Sequence, residues 1–145
     1  MDETRAFRPS IDRWFVVFED CGNNVWWHHL LRAGFKHCWA FGYDIAAKRW
    51  IRFEVIFDGC DIRTMTHAEV DEIVAECHLR GWTILEVEVE RVRRPRLRFL
   101  ASCVSATAHL CNLPQGAVTP YALYRKLRAS GAKPAFGLPA DKGAD

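Results

Sequence analysis

The chain lacks any long apolar run. Its hydrophobic stretches are a handful of residues each, far short of the roughly 20 that a membrane-crossing helix needs. It also lacks a secretory opening, because Met1-Asp2-Glu3-Thr4-Arg5 is charged and no apolar core follows. The expected setting is therefore a reducing cytoplasm or a particle assembled there, and the six cysteines are expected as free thiols. No Cys-x-x-Cys and no His-x3-His pair occurs, so the spacings that build a structural zinc site are missing. Neither a metal nor an organic cofactor is expected. A net charge of only +2 supplies no global field for a polyanion, which argues against nucleic acid as a partner. Internal repeats are absent too.

What is present fits one domain of 145 residues with an aromatic-rich interior. Residues 1–13 read as a polar N-terminal segment, 14–129 as the folded domain, and 130–145, rich in Gly, Ala, Pro and Lys, as a flexible tail. Trp14 to Phe18 predicts a buried strand, and Val25 to Arg32 a short helix carrying His28 and His29 on its solvated face. Phe35–Tyr43 and Arg49–Phe57 alternate as the arms of a hairpin around Asp44 to Lys48. His37, Trp39 and Phe41 share one side of the first arm, and Trp50, Arg52 and Glu54 share one side of the second. Pairing Tyr43 with Lys48 would set His37 directly opposite Glu54. Thr66-x-x-Glu69 predicts a capping box, opening a helix with Val70, Ile73, Val74 and Cys77 as its stripe and Gly81 as its stop. Trp82 to Glu90 predicts another strand, and Thr119-Pro120 opens a last helix. The fold class expected is α+β, a small antiparallel sheet packed against helices.

Chemistry concentrates in Phe99 to Leu113. Ser102 can cap a helix whose first residue is Cys103, with Val104, Ala108 and Cys111 following at helical spacing. A thiol there feels the positive end of the helix dipole, which favours the nucleophilic thiolate. The competing reading is a small buried hydrophobe. A thiol nucleophile needs a base in hydrogen-bond reach and a third group to orient that base. His37 is the candidate base; the third group is Glu54 by register, with Arg52 and Asp44 as fallbacks. Arg91 to Arg98 holds five arginines in eight residues, either a solvated edge or an anion-binding rim beside the thiol. Ser102, Arg96, Arg98 and Trp39 are the expected substrate-binding residues.

The order of histidine first and cysteine later, carried by Trp26-Trp27 through Gly34-Phe35-Lys36-His37-Cys38, then Ser102-Cys103-Val104, then Thr119-Pro120-Tyr121-Ala122-Leu123-Tyr124, resembles circularly permuted NlpC-type papain-like proteins. That group includes lecithin–retinol acyltransferase-like proteins, and the pattern is closer to small phage-encoded members. The resemblance covers roughly residues 14 to 128; Cys111-Asn112 stands where a strict match often has Leu-Gly. It implies a permuted papain-like fold, with Cys103 as nucleophile, His37 as base and the third polar group on the following strand. It further implies hydrolysis of an amide through a thioester, with bacterial cell-wall peptide (peptidoglycan) as substrate and no metal. The expected location is then the host cytoplasm or the virion. Two alternatives stay open: a virion or tail structural protein that binds other virion proteins and keeps the fold without turnover, and a host-directed acyltransferase or deamidase.

Overall fold

The computed structural model describes residues 10–20, 29–56, 59–90, 102–113 and 116–140. The chain order is β1 (Arg13–Glu19), β2 (His37–Asp44), β3 (Arg49–Ile56), β4 (Gly59–Met65), α1 (His67–Arg80), β5 (Thr83–Glu88), α2 (Cys103–Leu110), α3 (Pro120–Ala129) and β6 (Lys133–Pro134). The strands form one antiparallel sheet in the order β4-β3-β2-β1-β5-β6, and the architecture is α+β as expected. No helix among the described residues is long and apolar enough to cross a membrane.

The middle of the sheet is buried on both faces. Trp14, Val16, Phe18, Cys38, Ala40, Leu85 and Val87 point to one side, where they pack with Val104 and Ala108 of α2 and Leu123, Tyr124 and Leu127 of α3. Val17, Trp39, Phe41 and Ile84 point to the other, against Val70 and Cys77 of α1 and Ala135 and Leu138 of the C-terminal segment. The two cores follow from the strand period of two, since neighbours on one strand must face opposite ways. Phe18 anchors the first core at 0 % exposure, in ring contact with Phe35 and Tyr124.

Local signals set the helix starts. Thr66 accepts from Glu69 N while the Glu69 carboxylate accepts from Thr66 N, and Gly81 ends α1 at φ 68°. Ser102 and Ser105 make the same reciprocal arrangement at α2. Thr119 caps α3, with Pro120 at its first position. Gly42 is required for a different reason: a Cβ there would stand 2.5 Å from Ile11 Cγ2 and 2.9 Å from the Arg13 carbonyl oxygen.

Four expectations are corrected. The hairpin pairs Tyr43 with Trp50 rather than with Lys48, a slip of two residues that preserves which face each side chain occupies. The hairpin is followed by a further strand, β4, whose polar, mostly exposed sequence gave no alternating signal. The strand expected over Trp82–Glu90 is shorter, Thr83–Glu88, and Ile84 is as buried as Leu85 because α1 and the C-terminal segment cover its side. The stretch 130–140, expected within the tail, packs instead: Pro134 and Lys133 pair with Leu85 and Glu86, and Ala132, Ala135 and Leu138 are buried. Of the expected helix Val25–Arg32, residues 25–28 lie outside the described residues, as do 1–9 and 141–145, and residues 29–32 hold no α-helix.

Candidate active site

Two elements from opposite faces of the sheet supply the site. His37 opens β2 on the α1 side, and Cys103 opens α2 on the other. They meet at the end of the sheet, where the ring and the thiol each favour the other's charged form. His37 Nε2 donates to Glu54 Oε1 at 2.8 Å, with both side chains largely sheltered, at 14 % and 13 % exposure. That bond leaves Nδ1 for the thiol and fixes the ring's orientation, the role an acceptor must play behind a catalytic base. Arg52 Nε and Nη2 both donate to the other Glu54 oxygen, at 3.2 and 2.5 Å. Its guanidinium also lies 3.9 Å above the Trp39 ring, so the carboxylate is clamped from two sides.

The electrostatics separate charge between sulfur and ring. The hydrogen bond from the Cys38 thiol is the largest influence on Cys103; burial opposes it and His37 adds to it, and the Cys103 thiol is drawn down to about 4. Burial alone would lower the His37 pKa, but the bonds to Cys103 and then Glu54 outweigh it and hold the ring up to about 10. Burial likewise works against the Glu54 charge, and the His37 and Arg52 hydrogen bonds overcome it, placing that carboxyl at about 2. The site is thus a thiolate–imidazolium pair backed by a carboxylate. At the tip of α2 the N–H groups of Cys103 and Val104 have no acceptor within the helix, so they can receive a developing oxyanion.

Cys103, His37 and Glu54 are brought together. Trp39 is not available as a substrate-binding surface: it is 3 % exposed, in tilted ring contact with Phe41 and roofed by Arg52. The Ser102 hydroxyl is engaged in the α2 capping box, so its role is structural. Asp44 is excluded as the orienting group, because its carboxylate accepts from Ala46 N and Ala47 N in the hairpin turn, both at 3.0 Å. Arg52 serves Glu54 rather than His37. Arg96 and Arg98, with the whole arginine run, lie outside the described residues. Cys111 is a poor rival thiol, since burial pushes it up to about 12.

Two neighbours were missed by the sequence reading. Glu19, the last residue of β1, pairs with His37 across the ladder, and burial raises its carboxyl above the usual range. The buried Trp39 indole N–H favours the Glu19 charge, though it completes no hydrogen bond of normal geometry. Ligand atoms of Glu19, His37 and Glu54 lie within 4.8 Å of one another, close enough to share a cation, but both Glu54 oxygens are already engaged by His37 and Arg52. Cys38 is the second. Its adjacency to His37 was legible; its contact with Cys103 is a product of folding. No protein-family model, no curated protein and no solved structure matches this chain.

Proposed function

We propose that this chain is a cysteine hydrolase of circularly permuted, NlpC-type papain-like design that cleaves an amide bond through a thioester. The observation that carries the reading is the contact of the Cys103 thiol with a His37 ring whose far nitrogen is bonded to Glu54 at 2.8 Å. The Cys103 thiolate attacks the carbonyl carbon, and the oxyanion that forms is received by the N–H groups at the start of α2. The imidazolium of His37 gives its proton to the leaving amine as the tetrahedral centre collapses to a thioester. His37, now neutral, then takes a proton from water, and the resulting hydroxide releases the acid and restores the thiol. Glu54 holds the ring through each exchange and supports its charge.

The substrate we propose is a bacterial cell-wall peptide, acted on from the host cytoplasm or from a virion. It rests on the phage-type residue pattern around His37, Cys103 and Thr119. The test is direct. Iodoacetamide at limiting concentration should alkylate Cys103 well before Cys111 or Cys60, and purified peptidoglycan should release new amino groups only with unmodified protein. His37→Ala should abolish both. Equal, slow labelling of all the thiols with no amine release would favour the structural, virion-assembly reading instead.

A further inference from the structure

Cys38 forms and breaks no bond in the hydrolytic steps above, although it helps hold Cys103 ionised, and its sulfur is fully buried beside the nucleophile. It lies at 0 % exposure on β2, with Sγ 3.9 Å from Thr107 Oγ1. Thr107 is one helical turn after Cys103, so the two share one face of α2, and Cys38 spans them. The Cys38 S–H is directed at Thr107 Oγ1, and the Cys38 side chain and backbone N–H both favour the charged form of the Cys103 sulfur beside them. Two sulfurs of different character are therefore in contact: one a reactive thiolate at a helix tip, the other shielded from every external reagent.

We infer that Cys38 and Cys103 form an oxidative modification site, in which Cys38 resolves a sulfenic acid on Cys103 into a reversible intramolecular disulfide. The co-reactant is a hydroperoxide. The Cys103 thiolate attacks its terminal oxygen, the O–O bond breaks, and the departing oxygen takes the His37 proton and leaves as water or an alcohol. Cys103 is thereby oxidised by two electrons to S–OH, and the peroxide is reduced. The Cys38 sulfur then attacks Cys103; the S–O bond breaks, and hydroxide leaves with the Cys38 proton as water. Two thiols and one hydroperoxide thus give one disulfide, one water from the sulfenic acid, and one water or alcohol from the peroxide. Burial keeps Cys38 protonated and silent toward outside electrophiles, so it can react only with a sulfur inside the fold, and of its neighbours there Cys103 is the one held as a thiolate. The pair would spare the nucleophile from irreversible over-oxidation and stop turnover until a dithiol restores it.

This inference rests on the reading of Cys103 as an activated thiol. The test uses the full chain, treated with graded hydrogen peroxide, alkylated without reduction and mapped by mass spectrometry. The expected result is loss of two hydrogens from the intact mass, a Cys38–Cys103 linked peptide, and full recovery of Cys103 labelling after dithiothreitol. In Cys38→Ala the same treatment should carry Cys103 to sulfinic acid, which dithiothreitol does not reverse. Sulfinic acid on Cys103 of the unaltered protein without a linked peptide, a disulfide through Cys111 or Cys60 instead, or no oxidation at all would each overturn it. Because the unaltered protein decides these outcomes, poor folding of Cys38→Ala would not rescue the idea. Rapid iodoacetamide labelling without a disulfide would sink only this inference. A disulfide in a protein that releases no amine from peptidoglycan would sink only the hydrolase.

Discussion

Glu54 meets His37 on the diagonal of the β2–β3 ladder, not across from it. The register that aligns Ala40 with Phe53 would set Ile56 opposite His37, and Glu54 reaches it from two residues back on the same face. The diagonal leaves room for Arg52 to hold the second carboxylate oxygen. The orienting acid is therefore fixed by its own clamp as well as by the ring.

One outcome concerns the thiol. Alkylation of Cys103 should proceed at nearly constant rate across the neutral range and decline only toward about 4, because the thiolate is already formed. At pH 6, His37→Ala should slow it by roughly 10-fold, as the thiol loses the imidazole's share of its lowering while the Cys38 contribution remains. The check is a pH series of labelling rates with peptide mapping. A rate that climbs through the usual thiol range in the unaltered protein would contradict the ion pair.

Glu54 separates geometry from charge. Glu54→Gln keeps an acceptor for Nε2 but removes the negative charge, so His37 should titrate at lower pH and activity should fall by about 10- to 100-fold. Ring-proton NMR of His37 reads the first, amine release the second. Glu54→Ala should do more, since the ring then loses its tether altogether. An unchanged His37 titration in Glu54→Gln would remove the carboxylate from the charge balance.

Stability should follow a plateau with two slopes. Cys103 is lowered to about 4, so its contribution grows as pH rises from there toward the ordinary thiol pKa of roughly 8.5. His37 is raised to about 10, so its contribution is fully present below roughly pH 6.5 and is lost as pH climbs through 10. The two cancel between roughly pH 6.5 and 8.5. Urea midpoints should thus rise from pH 4 to the plateau and fall toward pH 10. The Glu54 contribution disappears only as pH drops toward about 2. Replacing both members, Cys103→Ser with His37→Gln, should flatten the two outer slopes.

Packing gives a test independent of chemistry. Phe18→Ala should cost roughly 3–5 kcal/mol, as a fully buried ring between β1 and α3 leaves a cavity. Gly42→Ala should cost about 1–3 kcal/mol, because the new methyl meets the Arg13 carbonyl. Gly59→Ala meets nothing within 4 Å and should stay within about 0.5 kcal/mol. Denaturant titration of the three variants orders them, and a neutral Gly42→Ala would contradict the close β1–β2 approach.

How far the chain could be read depended on the range of each signal. The capping box at Thr66 and the cap at Ser102 were legible because donor and acceptor lie three residues apart, while the reciprocal Ser105 bond was not read. The face shared by His37 and Glu54 was legible because strand periodicity survives a slip of two; the register was not, since a turn from Ile45 to Lys48 fits more than one pairing. Trp39 read as accessible because nothing local shows that α1 and Arg52 will cover it. β4 carries Asp61, Arg63 and Thr64, which suit an outer strand and mask it as loop. The Cys38–Cys103 contact needs α2 laid on β2, and no spacing along the chain announces that.

The shortest strand of the sheet sets a limit on its growth. β5 would otherwise end the array with an open row of amides and carbonyls, and β6 covers part of that row with two residues. One of them, Pro134, has no amide hydrogen to offer a further strand. A further strand on this side would meet one donor fewer. A chain cut before Lys133 should lose that stopper and, at high concentration, build ribbons edge to edge.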